Sequence, residues 1–357
     1  MKKFVAALLA LTALLAVAGC SGRPATMADM PDQEVPEPDP IPVYDGEGTI
    51  RTGLYAVGSL GSSTNAGEAD GLAQTDVTLV AVTVDEAGVI TDCVIDAVQA
   101  KANFDASGAL LTDLSAPVQS KNELGAAYGM GPVSASMGGI GKEWNEQAQA
   151  LADYVVGKTA DEVMGIAVDE ATKPTGADLS SSVTISIGGF QSAIAEAVNR
   201  AQPLGAQAGD ELKLVTTAAL STGDVPEGAA NTVQTDVTVA AVTMNADTIT
   251  SCVIDAVQAQ VSFDAQGQLV TDTTAPVASK NDLGTDYGMG SVSAAMGGIG
   301  REWNEQAASF AAYVTGKTLD EVAGIAVDEA TKPADADLAA SVTISIGGFQ
   351  ALLEKLR

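Results

Sequence analysis

The stretch Cys93-Val94-Ile95-Asp96-Ala97-Val98-Gln99-Ala100 returns unchanged as Cys252-Val253-Ile254-Asp255-Ala256-Val257-Gln258-Ala259. Working outward, Cys93 to Gln191 aligns with Cys252 to Gln350 without a gap, and roughly three quarters of the positions are identical. Self-similarity of this kind marks a duplicated structural unit. Upstream, Gln74-Thr75-Asp76-Val77-Thr78 matches Gln234-Thr235-Asp236-Val237-Thr238, with one residue fewer in the second copy around Asn245-Ala246-Asp247. The boundary falls near Pro203 to Gly209, an Ala/Gly/Gln linker after a helical pattern. The expected division is therefore 1-19 leader, 20-48 stalk, 49-201 first repeat and 210-357 second repeat, each repeat long enough for its own core.

Within a copy, Thr75 to Val84 and Val89 to Val98 are rich in Val, Ile and Thr and are separated by Asp85-Glu86-Ala87-Gly88, which predicts a β-hairpin. A loop is expected from Phe104 through Ser120 and the Gly/Ser/Met stretch to Gly141. Trp144, Ala148, Leu151, Ala152 and Val155 then fall at helical spacing, as do Trp303, Ala307, Phe310, Ala311 and Val314. Thr159-Ala160-Asp161-Glu162 and Thr318-Leu319-Asp320-Glu321 have the form of capping boxes that open a short helix. A short strand is expected at Ile166 to Val168. Ser182-Val183-Thr184-Ile185-Ser186-Ile187 alternates strictly, which predicts a strand with Val183, Ile185 and Ile187 inward and the hydroxyl residues outward. Gly188-Gly189 breaks it, and Phe190, Ile194, Ala197 and Val198 begin a last helix. The fold class expected is α+β, two tandem copies of one domain, each a mainly antiparallel sheet with helices packed against it.

The chain opens with Lys2 and Lys3, runs apolar from Phe4 to Ala18, and reaches Val17-Ala18-Gly19-Cys20. That is the pattern of a secretory leader ending in a lipobox, with Cys20 as the acylated, palmitate-type first residue of the mature chain. Each buried methylene of such an anchor contributes about 0.8 kcal/mol, so two or more chains on one Cys hold stably. The Pro- and acid-rich run after it, Pro31-Asp32-Gln33-Glu34-Val35-Pro36-Glu37-Pro38-Asp39-Pro40, has the composition of an extended stalk. The expected location is the outer face of the cell membrane, with the lipid bilayer as a partner.

Lys and Arg number 17 against 46 Asp and Glu, a net charge of −29. Such a surface repels phosphate backbones and argues against nucleic acid as a partner. There is no His, which removes His general bases and His-ligated zinc or haem. Cys93 and Cys252 occupy matching places in alternating patterns and read as small buried thiols, an inter-repeat disulfide being the alternative. The acid pairs Asp161-Glu162 and Asp169-Glu170 lack the spacing of a calcium loop and read as caps or solvated faces.

Candidate chemistry sits at the predicted last strand. Asp178-Leu179-Ser180-Ser181-Ser182-Val183-Thr184 and Asp337-Leu338-Ala339-Ala340-Ser341-Val342-Thr343 carry an Asp and a Thr at one spacing, followed by a Ser/Thr-rich end and a helix. Here the chain resembles the FMN-binding domains of exported flavoproteins, including the two-domain lipoproteins of Gram-positive extracellular electron transfer. That family reads Asp-x-x-Ser/Thr-Gly-Ala-Thr and receives FMN as a phosphoester on the final Thr from a dedicated flavin transferase. The family's Gly is Ser182 or Ser341 here, its Ala is Val183 or Val342, and Ala340 replaces the hydroxyl residue that the first copy keeps as Ser181.

The resemblance implies covalent FMN on Thr184 and Thr343, with Asp178, Asp337, Ser181, Ser182 and Ser341 around it. It also implies a flavin transferase, a quinone-linked membrane donor and an extracellular electron acceptor as partners, and a carrier rather than a substrate-turnover enzyme. The same residues also read as ordinary strand threonines on a solvated face, with Asp178 and Asp337 as turn residues. The glycines of Gly129-Met130-Gly131 and Gly138-Gly139-Ile140-Gly141 suit either irregular turns or close approach to a ring or phosphate. Trp144, Trp303, Tyr128 and Tyr287 suit either core packing or stacking on a flavin. Two rival functions fit as well: a duplicated cell-surface interaction or structural lipoprotein without cofactor, and a non-covalent ligand binder using the Gly-rich loop.

Overall fold

The computed structural model describes residues 49–357. The leader, Cys20 and the stalk lie outside the described residues. Among those described, no helix is long and apolar enough to cross a membrane.

The protein is α+β, with two antiparallel sheets. The first is built from β1 (Arg51–Ser59), β2 (Gly71–Val84) and β3 (Ile90–Phe104), and the second from β4 (Glu211–Thr222), β5 (Asn231–Asn245) and β6 (Thr248–Phe263). The expected hairpin forms: Asp85 closes the turn, its Oδ1 accepting from Ala87 N and Val89 N at 2.9 Å each. β2 begins at Gly71 rather than Thr75 and β3 runs on to Phe104 rather than Val98, and β1 joins them as a further strand, Leu54 opposite Ala81.

After β3 come α1 (Lys121–Leu124), a 3₁₀ turn at Gly125–Tyr128, α2 (Met130–Ser136), α3 (Trp144–Val155), α4 (Ala160–Met164), α5 (Ala177–Ser180) and α6 (Gly188–Asn199). After β6 the order returns as a two-residue strand β7 (Val277–Ala278), α7 (Lys280–Leu283), a 3₁₀ turn, α8 (Met289–Ala295), α9 (Trp303–Val314), α10 (Leu319–Ala323), α11 (Ala336–Ala339) and α12 (Gly347–Glu354). The stretch expected as loop between Ser120 and Gly141 thus contains α1 and α2. Ser120 caps α1 by a full capping box, and Thr159 and Thr318 do the same for α4 and α10. The strand expected at Ile166 to Val168 is reduced to a single bridge between Val168 and Pro174.

Alternation along β2 sends Val80, Val82 and Val84 into a core with α3 and α6, and Val77, Leu79 and Ala81 into a second core. That second core lies between the sheets, where Val237, Val239 and Ala241 of β5 meet them. Both faces of β2 and β5 are therefore covered, which is why their sequences are apolar almost throughout. The connections interlock as well. Val277 and Ala278 pair with Gly58 and Val57 of β1, making the first sheet β3-β2-β1-β7, and Val118 makes the matching bridge to Ala218 of β4. The residues on either side of the expected boundary at Pro203 to Gly209 accordingly belong to one compact unit. Cys93 and Cys252 are buried and unpaired with each other. Burial pushes the Cys252 thiol up to about 12 and raises that of Cys93 as well, so both behave as small apolar groups.

Candidate functional site

The segments Ser182–Ile187 and Ser341–Ile346 are not strands. They run as irregular backbone between α5 and α6 and between α11 and α12. The cause is Gln147 of α3, 1% exposed. Its side-chain oxygen accepts from Thr184 N at 2.8 Å, Thr184 Oγ1 at 3.2 Å and Ile185 N at 3.2 Å, while its Nε2 donates to Lys142 O. Amides that a sheet would need are satisfied by one buried amide side chain instead. Gln306 repeats the arrangement on Thr343 and Ile344 at the same distances. Val183 and Ile187 are fully buried, as the alternation predicts, but Ile185 is only half-buried.

This corrects the expected placement of Thr184 and Thr343. They are half-buried, not outward on a strand, and each hydroxyl hydrogen is committed to a glutamine oxygen. Asp178 and Asp337 lie exposed in α5 and α11, and neither carboxylate hydrogen-bonds to its threonine. Ser181, Ser182 and Ser341 donate back to carbonyls three residues earlier, Asp178 O, Leu179 O and Leu338 O. The motif residues share a short stretch of chain without converging on one point. Cys20 lies outside the described residues.

In the Gly-rich loop Gly129, Gly138 and Gly141 make left-handed turns, at φ 78°, 76° and 68°, whereas Gly131 and Gly139 allow close packing. A Cβ on Gly131 would lie 2.9 Å from Glu143 Oε1, and Glu143 Oε2 accepts from Met130 N at 2.8 Å.

Convergence is found two residues beyond each threonine. Thr172 and Thr331 hold left-handed backbone, φ 55° and 56°, a conformation that costs a β-branched residue on the order of 1–3 kcal/mol. Thr331 O accepts from Ile346 N at 2.8 Å, and its side chain packs on Gly347, where a Cβ would lie 3.0 Å from Thr331 Cβ. Its hydroxyl meets that of the exposed Ser345. Thr172, Ile187, Gly188 and Ser186 repeat these contacts.

Ser345 stands on the wall of a cleft of about 310 Å³. Trp303 and Phe349 form its aromatic side, ring centroids 5.9 Å apart and planes at 77°. Ile344 and Ala256 add apolar surface, and Asp236 and Lys280 bring charge. Lys280 Nζ lies 4.7 Å from the Tyr287 ring centroid and 5.1 Å from that of Trp303, within cation–π range. It forms no ion pair among the described residues. Each of the cleft's lining residues has an identical counterpart in the first copy, among them Asp76, Lys121, Trp144, Ile185, Ser186 and Phe190. The duplicated stretch as a whole is identical at only roughly three quarters of its positions. Lys121 likewise sits 4.9 Å from both Tyr128 and Trp144.

The lysine is positioned from below. Asp255 is 2% exposed, and its Oδ1 accepts from Asn281 N at 3.0 Å and Ala256 N at 2.7 Å, pinning α7 to β6. Burial raises its carboxyl to about 6, against bonds from Ser279, Asn281 and Ala256 that pull it down. Burial raises Asp96 in the same place of the first copy. Lys280, Gln306 and Thr331, with their counterparts, were not singled out from sequence. The repeated Ser-Lys-Asn and Trp-Asn-Glu-Gln strings were the available signal.

The chain matches no protein-family model, no curated protein and no solved structure.

Proposed function

We propose that the chain is a lipid-anchored extracellular flavoprotein that carries electrons through one FMN in each of two repeats, 49-201 and 210-357, each acting as an FMN-holding domain. The observation that carries the reading is the cleft of the second copy, whose aromatic, lysine and hydroxyl residues all recur at the equivalent positions of the first, directly after the Asp-to-Thr spacing of the FMN-binding domains. A cleft of about 310 Å³ is at the small end of ligand pockets, sized for part of a flavin with the remainder at the surface. When bound, FMN supplies the redox chemistry. Trp303 and Phe349, 8% and 5% exposed, offer an apolar aromatic wall, Lys280 a positive charge for the phosphate or an electron-rich ring edge, and Ser345 a hydrogen bond.

A covalent link suits a chain tethered outside the cell, where a released cofactor is lost by diffusion. The family spacing names Thr184 and Thr343 as acceptors. A Pro-rich stalk supports shuttling between a quinone-linked membrane donor and an external acceptor. The test is co-expression with a flavin transferase: ultraviolet-excited fluorescence of the chain in a denaturing gel supports the proposal, and a dark band of unmodified mass counts against it.

A second reading, a cell-surface interaction module without cofactor, is favoured by one observation. Met137 and Met296 are each 77% exposed, beside exposed Val133 and Val292, so both copies present an apolar tip. Cell-wall or partner-protein binding that survives in a chain free of flavin and is lost in a Met137→Asp plus Met296→Asp variant supports this reading instead.

A further inference from the structure

Resting on the flavin reading, we infer that the hydroxyls that accept the phosphoester are Ser345, on the cleft wall, and its counterpart Ser186, rather than Thr343 and Thr184.

Two hydroxyls compete in each copy, and their surroundings differ in kind. Thr343 is half-buried, and Oγ1–H donates to Gln306 Oε1 at 3.2 Å. Gln306 is 1% exposed and holds the Thr343 and Ile344 amides with the same oxygen. Esterifying Thr343 removes the hydrogen that faces this oxygen and replaces it with anionic phosphoryl oxygens against an amide acceptor. Both the loss of the bond and the new repulsion oppose the product.

Ser345 is exposed and its neighbour is a hydroxyl, Thr331 Oγ1. A hydroxyl donates as readily as it accepts. After esterification of Ser345, Thr331 Oγ1–H is able to turn from its contact with Ala330 O at 2.8 Å to the ester or a phosphoryl oxygen. Ser345 also lines the cleft with Lys280 and Trp303, so a flavin attached there has a cation and an indole within the same concavity. Thr343 is not among the cleft's lining residues. Ser186, Thr172, Lys121 and Trp144 carry the same arrangement in the first copy.

The step balances without an oxidant. Ser345 Oγ forms a bond to the flavin-side phosphorus of flavin adenine dinucleotide, the P–O–P bond breaks, adenosine monophosphate leaves with the bridging oxygen, and the serine proton passes to the transferase. The product is the flavin phosphoester of serine.

The test is the full-length chain co-expressed with a bacterial flavin transferase, digested, and its flavin-bearing peptides fragmented to place the added mass on a single residue. Flavin mononucleotide less one water on Ser186 and Ser345 is the expected result. In parallel, Ser186→Ala plus Ser345→Ala is expected to abolish in-gel flavin fluorescence, and Thr184→Val plus Thr343→Val to retain it. Because both substitutions leave the wild-type mapping untouched, a variant that fails to fold does not obscure the answer. Flavin mapped to Thr184 and Thr343 overturns this assignment and leaves the flavin reading standing. No flavin on any residue overturns both.

Discussion

Phe104 and Phe263, the same position in the two copies, stack with ring centroids 3.8 Å apart and planes 5° from parallel, both fully buried. Equivalent residues meet again where Thr235 Oγ1 donates to Thr75 Oγ1 at 3.0 Å. The duplication therefore packs about an approximate two-fold relation, with one core shared between the sheets. Ion pairs at the ends of the last helices repeat it: Arg200 reaches Asp282, and Lys355 reaches Glu123 at the matching position.

Phe104→Ala is accordingly expected to weaken both copies at once, by about 3–5 kcal/mol for loss of a buried phenyl. The measurement is denaturant unfolding of two single-tryptophan variants, Trp144→Phe and Trp303→Phe, with and without the substitution. Coincident midpoints from the two reporters are expected in each background. Separate midpoints, with only the Trp144 reporter shifted, would show copies that fold independently.

Gln306→Leu removes the acceptor for Thr343 N, Thr343 Oγ1 and Ile344 N. Leaving buried amides without a partner costs about 1–3 kcal/mol. Stability measured by urea titration is expected to fall by that amount, and amide hydrogen exchange at Thr343 and Ile344 to accelerate. Unchanged exchange there would mean that the glutamine does not hold the segment.

How much of this was readable in the sequence depends on how local each cause is. The β2–β3 hairpin, α3 and the capping boxes at Thr159 and Thr318 follow from residues at most a few positions apart, and all form. The alternation at Ser182–Ile187 misled because period two also satisfies burial at Val183 and Ile187 in irregular backbone. Gln147, 37 positions away, decided the matter. The helical turns after Ser120 hid among glycines. The crossing of Val277 to Gly58, the stacking of Phe104 on Phe263 and the meeting of Lys280 with Trp303 join distant segments that no local pattern reports.

Asp255 gives a pH dependence of known sign. Its carboxyl is raised in the folded chain to about 6, above the roughly 3.9 of an unfolded Asp, so the folded state binds more protons between those values. Its contribution is fully present below about pH 4 and is lost as pH rises through about 6, on the order of 3 kcal/mol. Asp255→Asn keeps a side-chain oxygen for Asn281 N and Ala256 N. Urea titrations at pH 4 and pH 7.5 are expected to show a smaller fall in stability for the variant than for the parent. An identical fall in both would remove Asp255 as the cause.

A flavin seated in the cleft would lie beside Trp303, and one held by the equivalent residues of the first copy beside Trp144. Tryptophan emission of the flavin-loaded chain is therefore expected to be quenched relative to flavin-free chain and to recover on denaturation, which separates the ring from the indole. Equal emission before and after unfolding would place the ring elsewhere on the molecule.

The most direct test of the central claim is the intact mass of the mature chain isolated from the membranes of its own cells. The account predicts a mass above that of the acylated polypeptide by two flavin mononucleotides less two waters, one for each copy. A colourless chain whose mass is that of the acylated polypeptide alone would contradict it.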